Sequence, residues 1–433
     1  MGGATLWAKG PSRRVSPSNN QRSGRGDGRK LIVFHAESRS AVIFGAGNVG
    51  RGFLGHLLSQ SGYALTFVDI DERIVQAINA RGAYTLRLAD DEHSEDLPIG
   101  PARAVHVSDV AAVAEAIATA DIGVTAVGAR ALPHIAPLLA AGLSQRARNR
   151  LPIPLNFIIC ENLKGADGTL RDLVRSHLPL ELHAYLHERV GFVMAVIARM
   201  ETLPPPDVRA ADPTLIIAEP YWHLPVDRAA FVGPIPPIIG LEPRDRFHAW
   251  VDWKLYIHNA GHAVLAYLGY RRGHALGYQA LADPAVRPWC ERAMRESAQA
   301  LTAEHGFDLA ELESHIADLL RRFANRGLGD PITRLARDPL RKLAPSDRLI
   351  GAASLCLRHG VYPDALAWGA AAALTFDDAD DPSAVELQRR LRKDGLKRVL
   401  SEVCGIDPAG ELGALIAARY QQLQAGDWPS APP

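Results

Sequence analysis

A parallel α/β domain followed by a mostly α-helical one is the fold this sequence predicts, and three features predict it. A glycine-rich turn near the start of the patterned region joins a short β-branched run to apolar residues at helical spacing. Further β-branched runs then alternate with helical segments, as a parallel sheet with crossover helices requires. From Arg244 onward the spacing is helical almost throughout. At 433 residues the chain is long for a single core, so more than one domain is expected. The composition shifts divide it into an extension (1–40), a nucleotide-binding domain (41–205) and a helical substrate domain (206–425).

Composition excludes several function classes. Hydrophobic residues at 47% and charged residues at 22% are the balance of an ordinary globular protein. Lys+Arg and Asp+Glu both number 48, so no bulk charge draws the chain to nucleic acid. Cys160, Cys290, Cys356 and Cys404 are scattered without C-x-x-C spacing, which fits a reducing cytoplasm and argues against a disulfide framework. The apolar run at 231–241 is cut by prolines, and no uncharged stretch approaches the roughly 18 residues that a membrane span needs. A small molecule is the expected partner, bound by a monomer or a small homo-oligomer.

The first 40 residues are rich in Gly, Ser, Pro and Arg and lack the apolar segment of a secretory signal, so they read as a disordered extension. Ala41 to Phe44 then form a buried strand. Gly45-Ala-Gly47-Asn48-Val49-Gly50-Arg51 follows, and Phe53, Leu54, Leu57 and Leu58 recur at helical spacing. Strand, glycines and helix in this order form the dinucleotide fingerprint of a Rossmann-type domain. Gly45 makes the tight turn, Gly47 admits pyrophosphate to the backbone, and Gly50 allows close helix packing. Amides at the helix start hold the diphosphate, with Asn48, Val49 and Arg51 beside them. The next strand, ALTFVDID, ends in Asp69, at the distance where a carboxylate meets the adenosine ribose and repels a 2′-phosphate. The cofactor is therefore NAD.

The pattern continues with AVHVSDV and ADIGVTAVGA as strands around the helix AAVAEAIATA, and with a strand from Leu155 to Cys160. Ligands bind at the carboxyl ends of such strands, which places Gly128, Glu161 and Asn162 near the nicotinamide. Residues 200–213, METLPPPDVRAADP, read as a linker. Helices follow at 244–270, 289–305, 308–323, 348–358, 364–375 and 410–423.

The first of these helices carries HNAGH, one residue away from the H-E-x-x-H zinc pattern. On an ideal α-helix Asn259 lies about 140° from Lys254, His262 about 80° and His258 about 40°. All four share one broad face, so geometry does not separate a metal pair from a metal-free site. The base position of the zinc pattern is an amide here, and no third ligand is evident.

K-x(4)-N-x-G-H-A-x-x-A-Y-L-G, running from Lys254 to Gly269, resembles the signature of the polyol-specific long-chain dehydrogenases, the mannitol dehydrogenase family. FGAGNVGRGFLGHLL, TAVG, CENL, RDPLRKL and DDP place the likeness in the mannitol-1-phosphate 5-dehydrogenase branch. The resemblance implies metal-independent hydride transfer. Lys254 would be the general base, Asn162 and Asn259 would steady the alkoxide, and His262 would contact a substrate hydroxyl. Arg334 and Lys342 match substrate-binding positions, and Arg341 adds to a basic cluster suited to phosphate. The expected reaction is D-mannitol 1-phosphate with NAD to D-fructose 6-phosphate. Alternatives are a free hexitol or hexuronate-derived substrate, or a catalytically silent NAD-binding sensor. One departure stands out: where the family usually carries Asp before an arginine, this chain has Ala198 before Arg199, with Met194 at a commonly polar position.

Overall fold

In the computed structural model, which describes residues 39–151 and 153–428, the β-branched runs pair as expected from their composition. The strands are β1 (Arg39–Phe44), β2 (Tyr63–Asp69), β3 (Tyr84–Ala89), β4 (Ser94–Ile99), β5 (Ala102–His106), β6 (Ile122–Thr125), β7 (Leu155–Ile159), β8 (Val190–Met194), β9 (Glu201–Thr202), β10 (Ile216–Ala218), β11 (Leu224–Asp227) and β12 (Leu241–Arg244). Six of them form one parallel sheet in the order β5-β2-β1-β6-β7-β8. With the β3/β4 hairpin set aside as an insertion, this is the doubly wound order 3-2-1-4-5-6 of a dinucleotide-binding sheet. The expectation for residues 1–38 lies outside the described residues.

Both faces of the sheet are covered, which is why its strands read as nearly continuous apolar runs. Along β1, Val42 and Phe44 point into one core and Ala41 and Ile43 into the other. The first core runs on through the C-terminal helices as far as Leu423. The second is closed by a smaller sheet, β4-β3-β10-β9.

That smaller sheet is a departure from the sequence reading. Strand β3 alternates in burial only from Tyr84 to Arg87, a short period-2 signal, and β4 is a polar strand with only Ile99 buried. Residues 200–213 are not a featureless linker: Glu201 and Thr202 form β9 and Pro206–Ala211 a short helix before β10 returns to pair with β3.

The helical half is built around Ala260–Arg271, whose positions from Ala263 to Gly269 are all buried. Helices Gly277–Ala282, Arg287–His305, Ile332–Ala336 and Asp364–Leu374 pack around it. Asp308 caps Leu309–Phe323 by accepting from Ala310 N at 2.7 Å. An unpredicted helix, Pro382–Glu402, starts with Asp381 as its cap and Pro382 in its first turn. Among the described residues no helix is long and apolar enough to cross a membrane.

A buried ion pair ties the helical half to the sheets. Arg322 donates to both oxygens of Glu219, at 2.6 and 2.9 Å, and to the carbonyl of Ala198 at 2.6 Å. Its guanidinium also lies 4.1 Å from the centre of the Tyr221 ring. Glu219 accepts from Met200 N as well, at 2.7 Å. Removing one partner of such a pair strands a buried charge, which costs about 3–5 kcal/mol. Arg322→Leu is therefore expected to lower the unfolding free energy by about that amount in urea titration; a loss below about 1 kcal/mol would show that the pair does not hold the halves together.

Candidate active site

The nucleotide end is assembled by the turn after β1. Gly45 has φ +97°, and a Cβ there would sit 2.4 Å from the carbonyl oxygen of Ala126. A Cβ on Gly50 would come within 1.9 Å of the Gly45 carbonyl, so the helix start is pressed onto the turn. Beside Gly47 there is open space, the cradle that a diphosphate needs. The carboxylate of Asp69 accepts from Ala46 N at 2.6 Å and from Asp71 N at 2.8 Å. It thereby braces the turn from the end of β2 and keeps lone pairs for a further donor. Asn48 and Val49 are half-buried on the turn, and Val49 reaches the cleft described below.

Arg51 departs from expectation. Its guanidinium faces the interior, donating to the carbonyls of Ala46, Pro213 and Thr214, and it is 2% exposed. Burial lowers its pKa from the usual arginine range. It holds the glycine turn to the turn before β10, and its guanidinium is committed to those carbonyls.

Past the sheet, the carboxyl ends of β6 and β7 are tied together by Glu161. Its buried carboxylate accepts from Val127 N at 3.0 Å. Burial raises its pKa, opposed by the amides of Val127 and Gly128 and by the Thr125 hydroxyl. Asn162, the next residue, is exposed and faces the cleft. Two residues on, Lys164 reaches Asp252 at 2.7 Å and lies over the Tyr256 ring at 5.2 Å. The loop bearing Asn162 is thus clasped to the helix bearing Lys254.

That helix is not uniformly α. Phe247–Trp253 and Ala260–Arg271 are α-helical, but Lys254–Asn259 between them is a π turn. An i→i+5 turn holds more residues than an α turn, so Asn259 comes nearer the side of Lys254 than the about 140° of an ideal α-helix. The Lys254 amine has no hydrogen-bond partner among the described residues. Burial, with Arg348 and Arg341 adding to it and Glu201 opposing, brings it down to about 7. Asn259 Nδ2 is buried without a partner. His262 stacks on Phe323 at 4.3 Å, and burial, then Arg334 and Lys342, holds its pKa far below the usual range. The imidazole is neutral.

His258 has its Nδ1 buried without a partner, and its ring lies 6.0 Å from that of His262. Among the described residues no group of three or more His, Cys, Asp or Glu is arranged to hold a metal.

The basic segment forms the far wall. Arg334 pairs with Asp330, at 2.6 Å from Nε. Arg341 pairs with Asp338 at 2.8 Å and with Asp347 at 3.4 Å. Lys342 is 4% exposed, donates to the Leu335 carbonyl and lies over the Tyr267 ring at 5.5 Å. Arg337, which the sequence reading did not select, is exposed and makes no hydrogen bond or ion pair among the described residues.

At the departure from the family pattern the structure is apolar: Ala198 is 1% and Met194 8% exposed. Arg199 is buried and donates to the carbonyls of Glu219 and Gly52, at 2.7 and 2.9 Å. Three residues beyond Ala198, Glu201 puts a carboxylate into the wall.

These parts line one cleft of about 670 Å³ between the parallel sheet and the helices, within the size range of small-molecule sites. It brings together Glu161, Asn162, Lys254, Asn259, His262, Arg334, Arg341 and Lys342, with the glycine turn at one end. The missed residues are Glu201, Arg337 and Lys164. For Arg337 the signal was present as a fifth cation in the same basic segment.

Comparison with known proteins gives a consistent result. Residues 39–240 match the model of the mannitol dehydrogenase Rossmann domain, and residues 246–424 that of the mannitol dehydrogenase C-terminal domain. The chain is 39% identical over 384 residues to the mannitol-1-phosphate 5-dehydrogenase of Brevibacillus brevis, covering 89% of this chain and 98% of that one. The Bacillus subtilis protein of the same name is 38% identical over 383 residues, covering 88% and 100%. Among solved structures, the Pseudomonas fluorescens mannitol 2-dehydrogenase, in ternary complex with NAD and D-mannitol, superposes with a TM-score of 0.74 at 18% identity, covering 90% of this chain and 93% of that one.

Proposed function

We propose a substrate and a mechanism for this chain, which belongs to the mannitol dehydrogenase family and is an NAD-dependent polyol dehydrogenase: it oxidises D-mannitol 1-phosphate to D-fructose 6-phosphate without a metal, using Lys254 as general base. The observation that carries the mechanism is the unbonded Lys254 amine, lowered to about 7, one π turn from the unbonded Asn259 amide. The relatives' names support the phosphorylated substrate.

The open space at Gly47 and the braced carboxylate of Asp69 fit a dinucleotide diphosphate and its adenosine ribose. Ile70, 76% exposed, and Val110, 50% exposed, offer uncovered apolar surface for the adenine. Bound NAD supplies the hydride acceptor. Lys254 removes the hydroxyl proton from the reacting carbon. The Asn259 and Asn162 amides donate to the oxygen as its charge develops, which favours the transition state over the neutral alcohol. His262, held neutral against Phe323, donates to or accepts from a neighbouring hydroxyl. The nucleotide domain and the helical substrate domain thereby each contribute one amide.

Arg337 is the donor left free for the phosphate, with Arg334, Arg341 and Lys342 alongside. A hydrogen bond to a charged group contributes about 1.5–3 kcal/mol, so kcat/KM for mannitol 1-phosphate is expected to exceed that for mannitol by at least about 10- to 100-fold. Arg337→Met should narrow that gap by lowering the value for the ester alone. A panel of phosphorylated and free hexitols with NAD reads both. Equal turnover of ester and free polyol would overturn the phosphate reading, and NAD binding with no turnover of any polyol would favour a silent sensor.

A further inference from the structure

Glu201 is a buried carboxylate in the cleft wall that the mechanism above leaves unused. It is 8% exposed, and its Oε1 is buried without a hydrogen-bond partner. Neither oxygen bonds any described residue. Buried carboxylates are ordinarily paired or hydrogen-bonded, so this one is arranged for a partner it does not meet in the resting side-chain network. Its stem lies under the nucleotide end: a Cβ on Gly52 would come 2.9 Å from Glu201 Cγ. Its carboxylate lines the same cleft as Lys254, Asn259 and Arg334.

Three cations act on it: Arg199, Arg334 and Lys254. Arg199 is committed to the Glu219 and Gly52 carbonyls, and Arg334 to Asp330. Arg199 keeps its Nη2 unpaired, but of the three Lys254 is the one whose charged group makes no hydrogen bond at all among the described residues. We propose that Glu201 and Lys254 form the acid–base pair of the reaction, with Glu201 taking on the proton that Lys254 removes from the substrate. The inference rests on Lys254 being the base. Oxidation of the alcohol yields one hydride, taken by NAD, and one proton. The substrate O–H bond breaks as Nζ–H forms and the carbonyl closes. Nζ–H then breaks as a Glu201 O–H forms, which restores the amine, and that proton leaves to solvent through the cleft.

The electrostatics suit the transfer. Burial pushes Glu201 up to about 8, with Arg199, Arg334 and Lys254 pulling it down and Glu219 pushing it further up. Around Lys254, Arg348 and Arg341 lower and Glu201 and Asp347 raise a value that burial brings to about 7. His258 and His262, on the same helix, are neutral. Burial thus raises the carboxyl and lowers the ammonium, bringing donor and acceptor toward each other from their ordinary ranges, as proton exchange between them requires.

Glu201→Gln keeps the shape and removes the proton acceptor. Its kcat is expected to fall on the order of 100-fold, its pH profile to move to lower pH because the anion no longer supports the ammonium, and its solvent deuterium isotope effect to rise. Formate should restore part of the rate in Glu201→Ala. Unchanged NADH binding and urea midpoint exclude misfolding. A Glu201→Gln enzyme with kcat within about twofold of wild type and an unshifted profile would overturn the pairing. A second readout needs no turnover. In the infrared difference between wild type and Glu201→Gln, the Glu201 carboxyl band should titrate, and in a Lys254→Met background its midpoint should rise. An unmoved midpoint also overturns the pairing, whereas failure of every polyol to react overturns the substrate reading instead.

Discussion

Lys254→Ala is expected to lower kcat on the order of 10²- to 10⁴-fold, the range that a positioned general base contributes, while leaving NADH affinity unchanged. The residue types around Lys254 account for both its activity and its pH dependence. Burial removes water from the ammonium, Arg348 and Arg341 repel it, and Glu201 and Asp347 only partly compensate, so the amine is free near neutrality at about 7. Oxidation needs the amine, so kcat/KM for the polyol should rise as pH increases through about 7 and then level off. Reduction of the ketose needs the ammonium and should fall across the same window. Arg348→Met removes one repelling cation and should move both profiles to higher pH. Stability follows with a definite sign. Lys254 is depressed in the fold relative to the unfolded chain, so between about 7 and 10.5 the unfolded state binds more protons and wild-type stability rises with pH. Lys254→Met, which abolishes that titration, should be more stable than wild type near pH 6, with the advantage vanishing above about pH 10.5. Steady-state kinetics and urea titration test the two halves separately. A Lys254→Ala enzyme within about tenfold of wild type would remove the lysine from the chemistry.

What the sequence could and could not convey follows from which forces are local. The β1 turn was legible because its glycines answer steric demands within a few residues: Gly45 against Ala126 and Gly50 against Gly45. Lys254, Asn259 and His262 were legible as a pattern, but the π turn between Lys254 and Asn259 was not, since a residue pattern does not show where an i→i+4 ladder shifts to i→i+5. Arg51 sits at a position where a cation beside phosphate is plausible, and only the approach of Pro213 and Thr214, far along the chain, turned it inward. Glu201 was hidden because a two-residue strand next to prolines has no periodicity to detect. The helix Pro382–Glu402 did carry a cap signal in Asp381-Pro382, but it buries only Ala384, Leu387, Val399 and Leu400, and Gly395 interrupts it with φ 78°. Its charged surface obscured the period. In the basic segment the charges were visible and their pairing was not, so Arg337, the residue left free, could not be separated from its paired neighbours.

Asn259→Ala is the second large effect, expected to reduce kcat about 10²- to 10³-fold, the cost of losing one donor aimed at a developing oxyanion. The π turn brings it nearer the side of Lys254. There the Nδ2 group meets the same oxygen that surrenders its proton to the amine, and it gains most as that oxygen becomes charged. KM should therefore change little while kcat and kcat/KM fall together. The same geometry gives a stability prediction of opposite sign. A buried donor without a partner costs about 1–3 kcal/mol, and Asn259 Nδ2 is such a group, so Asn259→Ala should unfold at no lower urea concentration than wild type. A helix-surface amide would show neither effect. Asn259→Asp separates donation from size: it keeps the volume, replaces the donor by a charge that repels the alkoxide, and raises Lys254 toward the ordinary lysine range. Its rate near neutrality should lie below that of Asn259→Ala, with an activity limb displaced to higher pH. Asn162→Ala, on the exposed loop clasped by Lys164, should cost less, because water can reach the place of its amide. An Asn259→Ala enzyme that loses stability but keeps its kcat would assign the amide to packing instead.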